Sequence, residues 1–457
     1  MLFRQILQED LGCASYFVAG DGSAAVVDPR WDIEVYLQLA RLHDVRIDHV
    51  LETHTHADHV SGHGRLARST GATIHIHELA EAGYPHEPFA DGWTLELGDV
   101  AIEAVHTPGH RPEHTAFVVC DRSRAAEPWA LLSGDSLFVG DVARPDLAVD
   151  KREGAAAIYQ SLHERLFDLA DEVEVWPGHL GGSLCGSAGI DEKTSSTVGY
   201  ERRHNRIMRF DSEQAFVDDA VEGLSEQPPN FQRIVELNRG ELLHDLGAPR
   251  PLAPRAVEEA QAEGTFVIDA RTHDQFDEAH IPGAISASAY DTGFATKVAW
   301  AVPPGSELIV VASSDGYEAE AVELLAAVGM RIRGYLAGGM TAWRSEDRPV
   351  ERIPKLTPDD LAGMRDEGED PMVLDVRARD EYATQHLPDS RNIPYQELTE
   401  RLDEVPRDRR VATICAGGKR SALAASVLQR NGFDVLHVAG GGVSDWAEQG
   451  HPVEAGS

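Results

Sequence analysis

Cysteine is scarce in this chain of 457 residues: four occur, at Cys13, Cys120, Cys185 and Cys415, and no two are close together. That spacing excludes a disulfide framework and fits a reducing compartment, so the expected location is the cytoplasm. No apolar run approaches the roughly 18 residues that a membrane-spanning helix needs. The opening MLFRQILQEDLGCASYF has neither a long apolar core nor a small-residue cleavage site, so no secretory signal is expected. Positive charge is also short. Lysine is nearly absent, and 41 Lys and Arg face 77 Asp and Glu, for a formal charge of −36. Such a field repels nucleic acid and anionic membrane, and neither is expected as a partner. The excess has two readings: a solvated acidic surface set by base composition, or adaptation to a salty cytoplasm that screens the self-repulsion.

What remains is the composition of a globular protein, 42% apolar, with enough length for about three domains. Residues 1 to about 180 alternate short apolar runs with helical patterns, as layered α/β proteins do. AAVVDP, RIDHVLETH, ATIHIH, VAIEAVHTPGH, AFVVC, WALLSGD and VEVWPGH read as strands; VYLQLARLH and AAAIYQSLHERLFDLA have helical spacing. A partly helical stretch from Gly181 to about Gly240 extends this domain, taken as residues 1–246. GAPRPLAP, residues 247–254, reads as a linker because its prolines cannot continue a helix.

An internal repeat occupies the rest. FVIDARTHDQFDEAHIPGAI recurs as MVLDVRARDEYATQHLPDSRNIP, pairing Asp269 with Asp375 and His280 with His386, and LAGGMTAW recurs as VAGGGVSDW, pairing Trp343 with Trp446. Each unit runs strand, helix, strand, glycine-bearing loop, helix, strand, which predicts two α/β domains with parallel sheets, at residues 255–350 and 354–457.

Chemistry concentrates in two places. Thr53-His54-Thr55-His56-Ala57-Asp58-His59 packs four potential metal ligands directly after an apolar strand. His110, Asp135 and His179 each repeat that placement at the C-terminal end of a predicted strand, where α/β folds carry ligand sites. Asp28, in VVDP, is a candidate for holding the HTHADH loop, with a surface role as the alternative. His75, His77, His86 and His114 read as ordinary surface or core histidines.

The second place is Cys415-Ala416-Gly417-Gly418-Lys419-Arg420, between a strand and a helix. A cysteine at such a turn faces unpaired backbone N–H groups and the positive end of the helix, and Lys419 and Arg420 add charge. All of these favour a nucleophilic thiolate able to carry sulfur. Aligned without gaps from Trp343 and Trp446, the first repeat has Ala312 where Cys415 stands; its loop ASSDGYEAE carries Asp315 and Glu318 and no basic residue. No sulfur carrier can form there, and the first repeat is expected to serve packing or docking.

The ordered ligand set resembles that of the metallo-β-lactamase superfamily over residues 1 to about 180. The resemblance implies an αββα sandwich with the metal site on one edge. Two classes within it compete. Hydrolases similar to glyoxalase II use all seven positions to hold two metals, such as zinc, and activate a water. Persulfide dioxygenases hold one Fe(II) with a smaller set, matching His54, His110 and Asp135, and leave His56, Asp58, His59 and His179 as supporting or second-site residues. Two histidines and a carboxylate leave coordination positions open, as non-heme Fe(II) oxygenases require.

The six-residue Cys415 loop resembles that of single-domain rhodaneses. SGDSLFVGDVARPDL and GGSLCGSAGIDEKTSSTVGYERRHN are similar to stretches of bacterial persulfide dioxygenase–rhodanese fusions, and the likeness extends through the chain's domain order. It implies oxidation of a small thiol persulfide by O2 to sulfite and thiol, coupled to rhodanese interconversion of persulfide plus sulfite with thiosulfate. Covalent fusion keeps such an intermediate at high effective concentration. Cys185 reads as a plain thiol, with substrate contact or sulfur relay as the alternative. Arg202 and Arg203 are candidates for substrate carboxylates, with surface salt bridges as the simpler alternative. A homo-oligomer is compatible with the chain. A dinuclear-zinc thioester hydrolase, or a protein that chiefly carries or senses sulfur through Cys415, are the competing functions.

Overall fold

Central strands of the first 180 residues, such as Cys13–Gly20 and Ala130–Gly134, are buried on both faces, which requires cover on both sides. In the computed structural model of the chain, Leu2–Gln8, Cys13–Gly20, Ser23–Val27, Arg46–Leu51, Thr73–His77 and Glu87–Phe89 form one six-stranded sheet. Thr94–Leu97, Val100–His106, Thr115–Asp121, Ala130–Gly134, Glu174–Pro177 and Ser196–Thr197 form a second. The structure describes all residues except 182, 184, 186–188, 223, 245–248, 314, 315, 370, 456 and 457. No helix among the described residues is long and apolar enough to cross a membrane.

Side-chain alternation divides the core into three layers. Tyr16, Val18, Val27 and Leu51 meet Ile102, Phe117 and Leu132 between the sheets. On the outer face of the first sheet, Phe17, Val26 and Val50 pack with Tyr36 of helix Glu34–His43 and Leu66 of helix His63–Thr70. On the outer face of the second, Val118, Leu131 and Val175 pack with Ile158 and Leu162 of helix Lys151–Glu164 and Phe216 of helix Glu213–Glu222. The order is helix, sheet, sheet, helix, the expected αββα sandwich. The hairpin Leu2–Gln8/Cys13–Gly20 was not among the predicted strands; Leu2–Gln8 is a half-exposed edge whose sequence alternates weakly.

The chain divides into two compact units, Met1–Leu246 with Ala327–Gly329, and Gly247–Ala326 with Met330–Ser457. The second unit holds two five-stranded parallel sheets of identical order. Arg250–Leu252, Arg331–Leu336, Glu307–Val311, Phe266–Asp269 and Ile285–Ser286 correspond to Lys355–Leu356, Val435–Val438, Val411–Ile414, Met372–Asp375 and Arg391–Asn392. The repeat extends to side chains: Arg271 and Arg377 each fork onto the aspartate two residues before, and the Trp343 and Trp446 indoles each donate to a proline carbonyl six residues on. One expectation is corrected. The proline-rich stretch read as a linker places Arg250–Leu252 as an edge strand beside Arg331–Leu336, and Pro254 opens a helix. Edge strands tolerate proline because one row of their N–H groups goes unpaired, and proline is favoured in a helix's first turn.

Candidate metal centre and sulfur-transfer loop

The strand Arg46–Leu51 ends at the HTHADH loop, which several buried groups hold in place. Asp28 accepts hydrogen bonds from the Thr53 N–H and hydroxyl, both at 2.8 Å, and Glu113 accepts from the Thr55 N–H at 3.2 Å. The Asn238 amide donates to the carbonyls of His56 (3.0 Å) and His59 (2.8 Å) and accepts from the Ser61 N–H.

Three buried ligand atoms converge at the strand ends. His54 Nδ1 bonds the Thr53 hydroxyl at 2.9 Å, and His110 Nδ1 donates to the Arg144 carbonyl at 2.9 Å. These bonds turn both Nε2 atoms toward Asp135 Oδ2, at 3.9 and 3.4 Å. None of the three atoms has a hydrogen-bond partner among the described residues, although the side chains are 1% exposed. Burying such atoms unpaired is costly, and a metal ion held between them would offset the cost. Burial, reinforced by neighbouring histidines, lowers the His54 pKa; burial also lowers that of His110 despite Asp135. Burial would raise the Asp135 carboxyl, but His179 and His110 outweigh it and hold the group at about 2. Two neutral imidazoles and a carboxylate are the charge states a metal requires.

The other four sequence candidates lie beside this trio, and His56, Asp58 and His59 bring a second set of ligand atoms within 4.8 Å of one another. His56 Nε2 faces Asp28 (3.2 Å) and Glu52 (3.4 Å). His179 bridges Asp135 Oδ1 (2.7 Å) and Asp58 Oδ2 (2.8 Å), and the other Asp58 oxygen meets His59 Nδ1 at 3.2 Å. Burial opposes a charge on His179, but Asp135, both nearby thiols and Asp58 raise its pKa well above the ordinary value.

Glycine is required at two approaches to Asp135. Gly134 adopts φ +50°, and a side chain there would also meet His114 Nε2 at 2.7 Å. A Cβ on Gly178 would lie 2.6 Å from Asp135 Oδ1.

In the second unit Cys415 follows the strand Val411–Ile414 and precedes the helix Lys419–Arg430. The thiol is buried; the Gly418 N–H donates to Sγ at 3.1 Å, and Ser421 Oγ lies 3.4 Å away. Strand register places Ala312 at the equivalent point of the first repeat, after Val311, which aligns with Asp269 as Ile414 aligns with Asp375. Asp315 lies outside the described residues, and Glu318 accepts the Gly316 N–H at 2.6 Å. The two basic residues are not free charges beside the thiol, as the sequence suggested. Arg420 forks onto Glu381 at 2.5 and 2.8 Å, and Lys419 Nζ pairs with Asp291 at 2.8 Å.

A family model for the metallo-beta-lactamase superfamily matches residues 9–179, and one for the rhodanese-like domain matches residues 253–346 and 357–449. The chain is a metallo-β-lactamase domain followed by two rhodanese domains. The chain is similar to the mitochondrial persulfide dioxygenase ETHE1 of Bos taurus, 28% identical over 219 residues, covering 47% of this chain and 78% of that protein. It is also similar to the hydroxyacylglutathione hydrolase of Polaromonas sp., 35% identical over 162 residues, covering 35% of this chain and 57% of that enzyme. A solved metallo-beta-lactamase from Staphylococcus aureus subsp. aureus COL aligns with a TM-score of 0.65 at 28% identity, covering 74% of this chain and 99% of the other.

Within the metallo-β-lactamase domain, Cys185 lies among Phe138, Ala143 and Ile190, with its thiol close to His179 and Asp135; burial pushes its pKa up to about 12. Arg202 and Arg203 both pair with Asp171, and Arg202 also donates to the Phe167 carbonyl, so their charges are committed to ion pairs. Sequence reasoning missed three contributors. His114 Nε2 accepts the Asp135 N–H at 2.8 Å, and burial and His110 lower its pKa to about 3, which leaves that nitrogen free to accept. Its one sequence signal is its four-residue spacing from His110. Cys13 places Sγ 3.2 Å from His179 and 3.1 Å from Asp58, and Asn238 comes from a helix far along the chain; neither has a local signature.

Proposed function

We propose that the metallo-β-lactamase domain oxidises a low-molecular-weight thiol persulfide with dioxygen at one non-heme iron held by His54, His110 and Asp135, and that Cys415 of the last rhodanese domain transfers sulfane sulfur. The observation that carries the reading is the convergence of partnerless ligand atoms from His54, His110 and Asp135, while His56 faces Asp28 and Glu52 and His179 is held between two carboxylates. Iron bound by two histidines and a carboxylate supplies open coordination positions and electron transfer between a soft sulfur anion and dioxygen. The chain's own groups do the rest. Thr53 and the Arg144 carbonyl fix the two imidazole tautomers, and the His114 ring anchors the Asp135 backbone. The balanced reaction is persulfide (RSSH), dioxygen and water giving thiol (RSH), sulfite and two protons; the sulfane sulfur loses four electrons and dioxygen gains them. In the rhodanese domain the Cys415 thiolate attacks the outer sulfur of thiosulfate, the S–S bond breaks, and sulfite leaves with the bonding pair. The reverse reaction makes thiosulfate.

The likeness to the persulfide dioxygenase of Bos taurus supports this reading. The likeness to a hydroxyacylglutathione hydrolase, with all seven ligand positions present, favours a dinuclear-zinc thioester hydrolase as the second reading. Metal analysis of anaerobically purified protein, paired with oxygen uptake on glutathione persulfide, separates them: about one iron and one O2 consumed per persulfide is expected. Two zincs and no oxygen uptake would overturn the dioxygenase. Cys415→Ser should abolish thiosulfate formation from persulfide and sulfite while oxygen uptake persists; full thiosulfate production in that variant would remove Cys415 from the mechanism.

A further inference from the structure

The first rhodanese repeat has no cysteine, yet it touches the loop that carries one in the second repeat. Both repeats lie in the same compact unit. Asp277, at the end of helix His273–Glu278 in the first repeat, is 6% exposed. Its Oδ2 lies 2.7 Å from Nδ1 of His437, which sits on the strand Val435–Val438 of the second repeat and is 1% exposed. The other ring nitrogen of His437 lies 2.9 Å from the Gly418 carbonyl, and the N–H of that same glycine donates to Cys415 Sγ at 3.1 Å. A continuous hydrogen-bonded chain therefore runs from the cysteine-free repeat to the sulfur atom.

The polarity of this chain is informative. The Gly418 carbonyl can only accept, so His437 Nε2 is the donor of that bond, and the Asp277 carboxyl group meets the other ring nitrogen. Asp277 is the group that holds the ring in that orientation. Repeat alignment from His280 and His386 puts Ala383 where Asp277 stands, so the catalytic repeat has no equivalent carboxylate of its own. A second contact acts on the neighbouring residue. Asp291 receives Lys419 at 2.8 Å on one oxygen and His273 Nε2 at 2.8 Å on the other, and His273 Nδ1 meets Ser286 Oγ at 2.9 Å. The first repeat thus grips the loop at Gly418, through His437, and at Lys419.

We propose that the cysteine-free rhodanese repeat is a positioning element for sulfur transfer, in which Asp277 orients His437 to hold Gly418 and thereby the Cys415 thiol. Asp277 is a positioning residue that touches no substrate. The inference rests on the reading of Cys415 as the sulfur carrier. It gives the first repeat a role that needs no nucleophile, and it explains buried polar groups between repeats where apolar packing alone would suffice.

The test is steady-state sulfur transfer from thiosulfate to cyanide by the full-length protein and its Asp277→Ala and Asp277→Asn variants, with calorimetric melting of each. Asp277→Ala frees the ring to turn, and kcat should fall by about tenfold or more, the scale that misplacing a nucleophile produces. Asp277→Asn presents an amide that can donate to His437 Nδ1, leaving the Nε2 hydrogen for Gly418, so kcat should return to within about threefold of the parent. A purely stabilising role would lower melting in both variants without changing kcat of the folded enzyme. Parental kcat in Asp277→Ala overturns the proposal, as does equal loss of kcat in both variants. If the parent protein transfers no sulfur, the Cys415 reading itself fails, and that outcome is distinct because it precedes any substitution.

Discussion

Gly178→Ala adds one methyl group to a residue that is not itself a ligand, and its effect can be worked from the structure. The new Cβ would lie 2.6 Å from Asp135 Oδ1 and 3.1 Å from the carbon and oxygen of Gly134. Neither neighbour can retreat easily. Gly134 O accepts the Gly178 N–H at 2.8 Å, and Asp135 Oδ1 is bonded to His179 Nδ1 at 2.7 Å. Gly178 is absent from the positive-φ positions, so alanine carries no backbone penalty there and the effect isolates the contact. Overpacking of this kind costs about 1–3 kcal/mol. For a domain of this size each kcal/mol shifts melting by about 2–4 °C, so a fall of roughly 2–12 °C is expected. If relief comes by displacing Asp135, bound iron should fall with it. The assays are differential scanning calorimetry and metal analysis, with Gly363→Ala as control, because its Cβ meets nothing within 4 Å and it lies inside helix Pro358–Asp366. That control should be neutral or stabilising. Parental melting and parental iron in Gly178→Ala would refute the argument that Asp135 is held rigidly.

His54→Ala, His110→Ala or Asp135→Ala should remove iron and oxygen uptake together, whereas His56→Ala and His179→Ala should retain iron; elemental analysis beside oxygen-electrode traces decides it. Acidification should weaken the contact between the rhodanese repeats. Burial would raise the Asp291 carboxyl, but His273 and Lys419 lower it from 3.8 to about 2. The folded value lies below the unfolded one, so this stabilisation is complete above the unfolded value and fades as pH falls toward 2. Partial exposure keeps it modest. Calorimetry from pH 5 down to 3 should show a melting decline that Asp291→Asn flattens. If the acidic excess reflects a salty cytoplasm, melting should climb steadily into molar KCl, and a flat or falling curve would reject that reading. Ala312→Cys, placed in a Cys415→Ser background, should not restore sulfur transfer, because Glu318 occupies the loop's Gly316 N–H; recovered thiocyanate formation would contradict this.

The strands ending at His54, Asp135 and His179 were legible because short runs of mostly apolar residues stop where the candidate ligands begin. The rhodanese repeat was legible because Asp269, His280 and Trp343 recur as Asp375, His386 and Trp446 in order. The missing cysteine at Ala312 needed only an alignment. Orientation was another matter. Nothing local distinguishes His54, whose Nε2 faces Asp135 Oδ2, from His56 two residues on, whose Nε2 turns to Asp28 and Glu52. The same holds for His114, which reads as an ordinary histidine until the sheet brings its ring to the Asp135 N–H. Arg250–Leu252 reads as linker until Arg331–Leu336 pairs with it, and Lys419 and Arg420 read as free charges until Asp291 and Glu381 meet them. Sequence by itself determined which residue types stand at the strand ends, because periodicity and motif order are properties of neighbouring residues. Only the tertiary structure decided which atom faces which, because each of those hydrogen bonds and ion pairs is closed by a partner that long-range packing delivers.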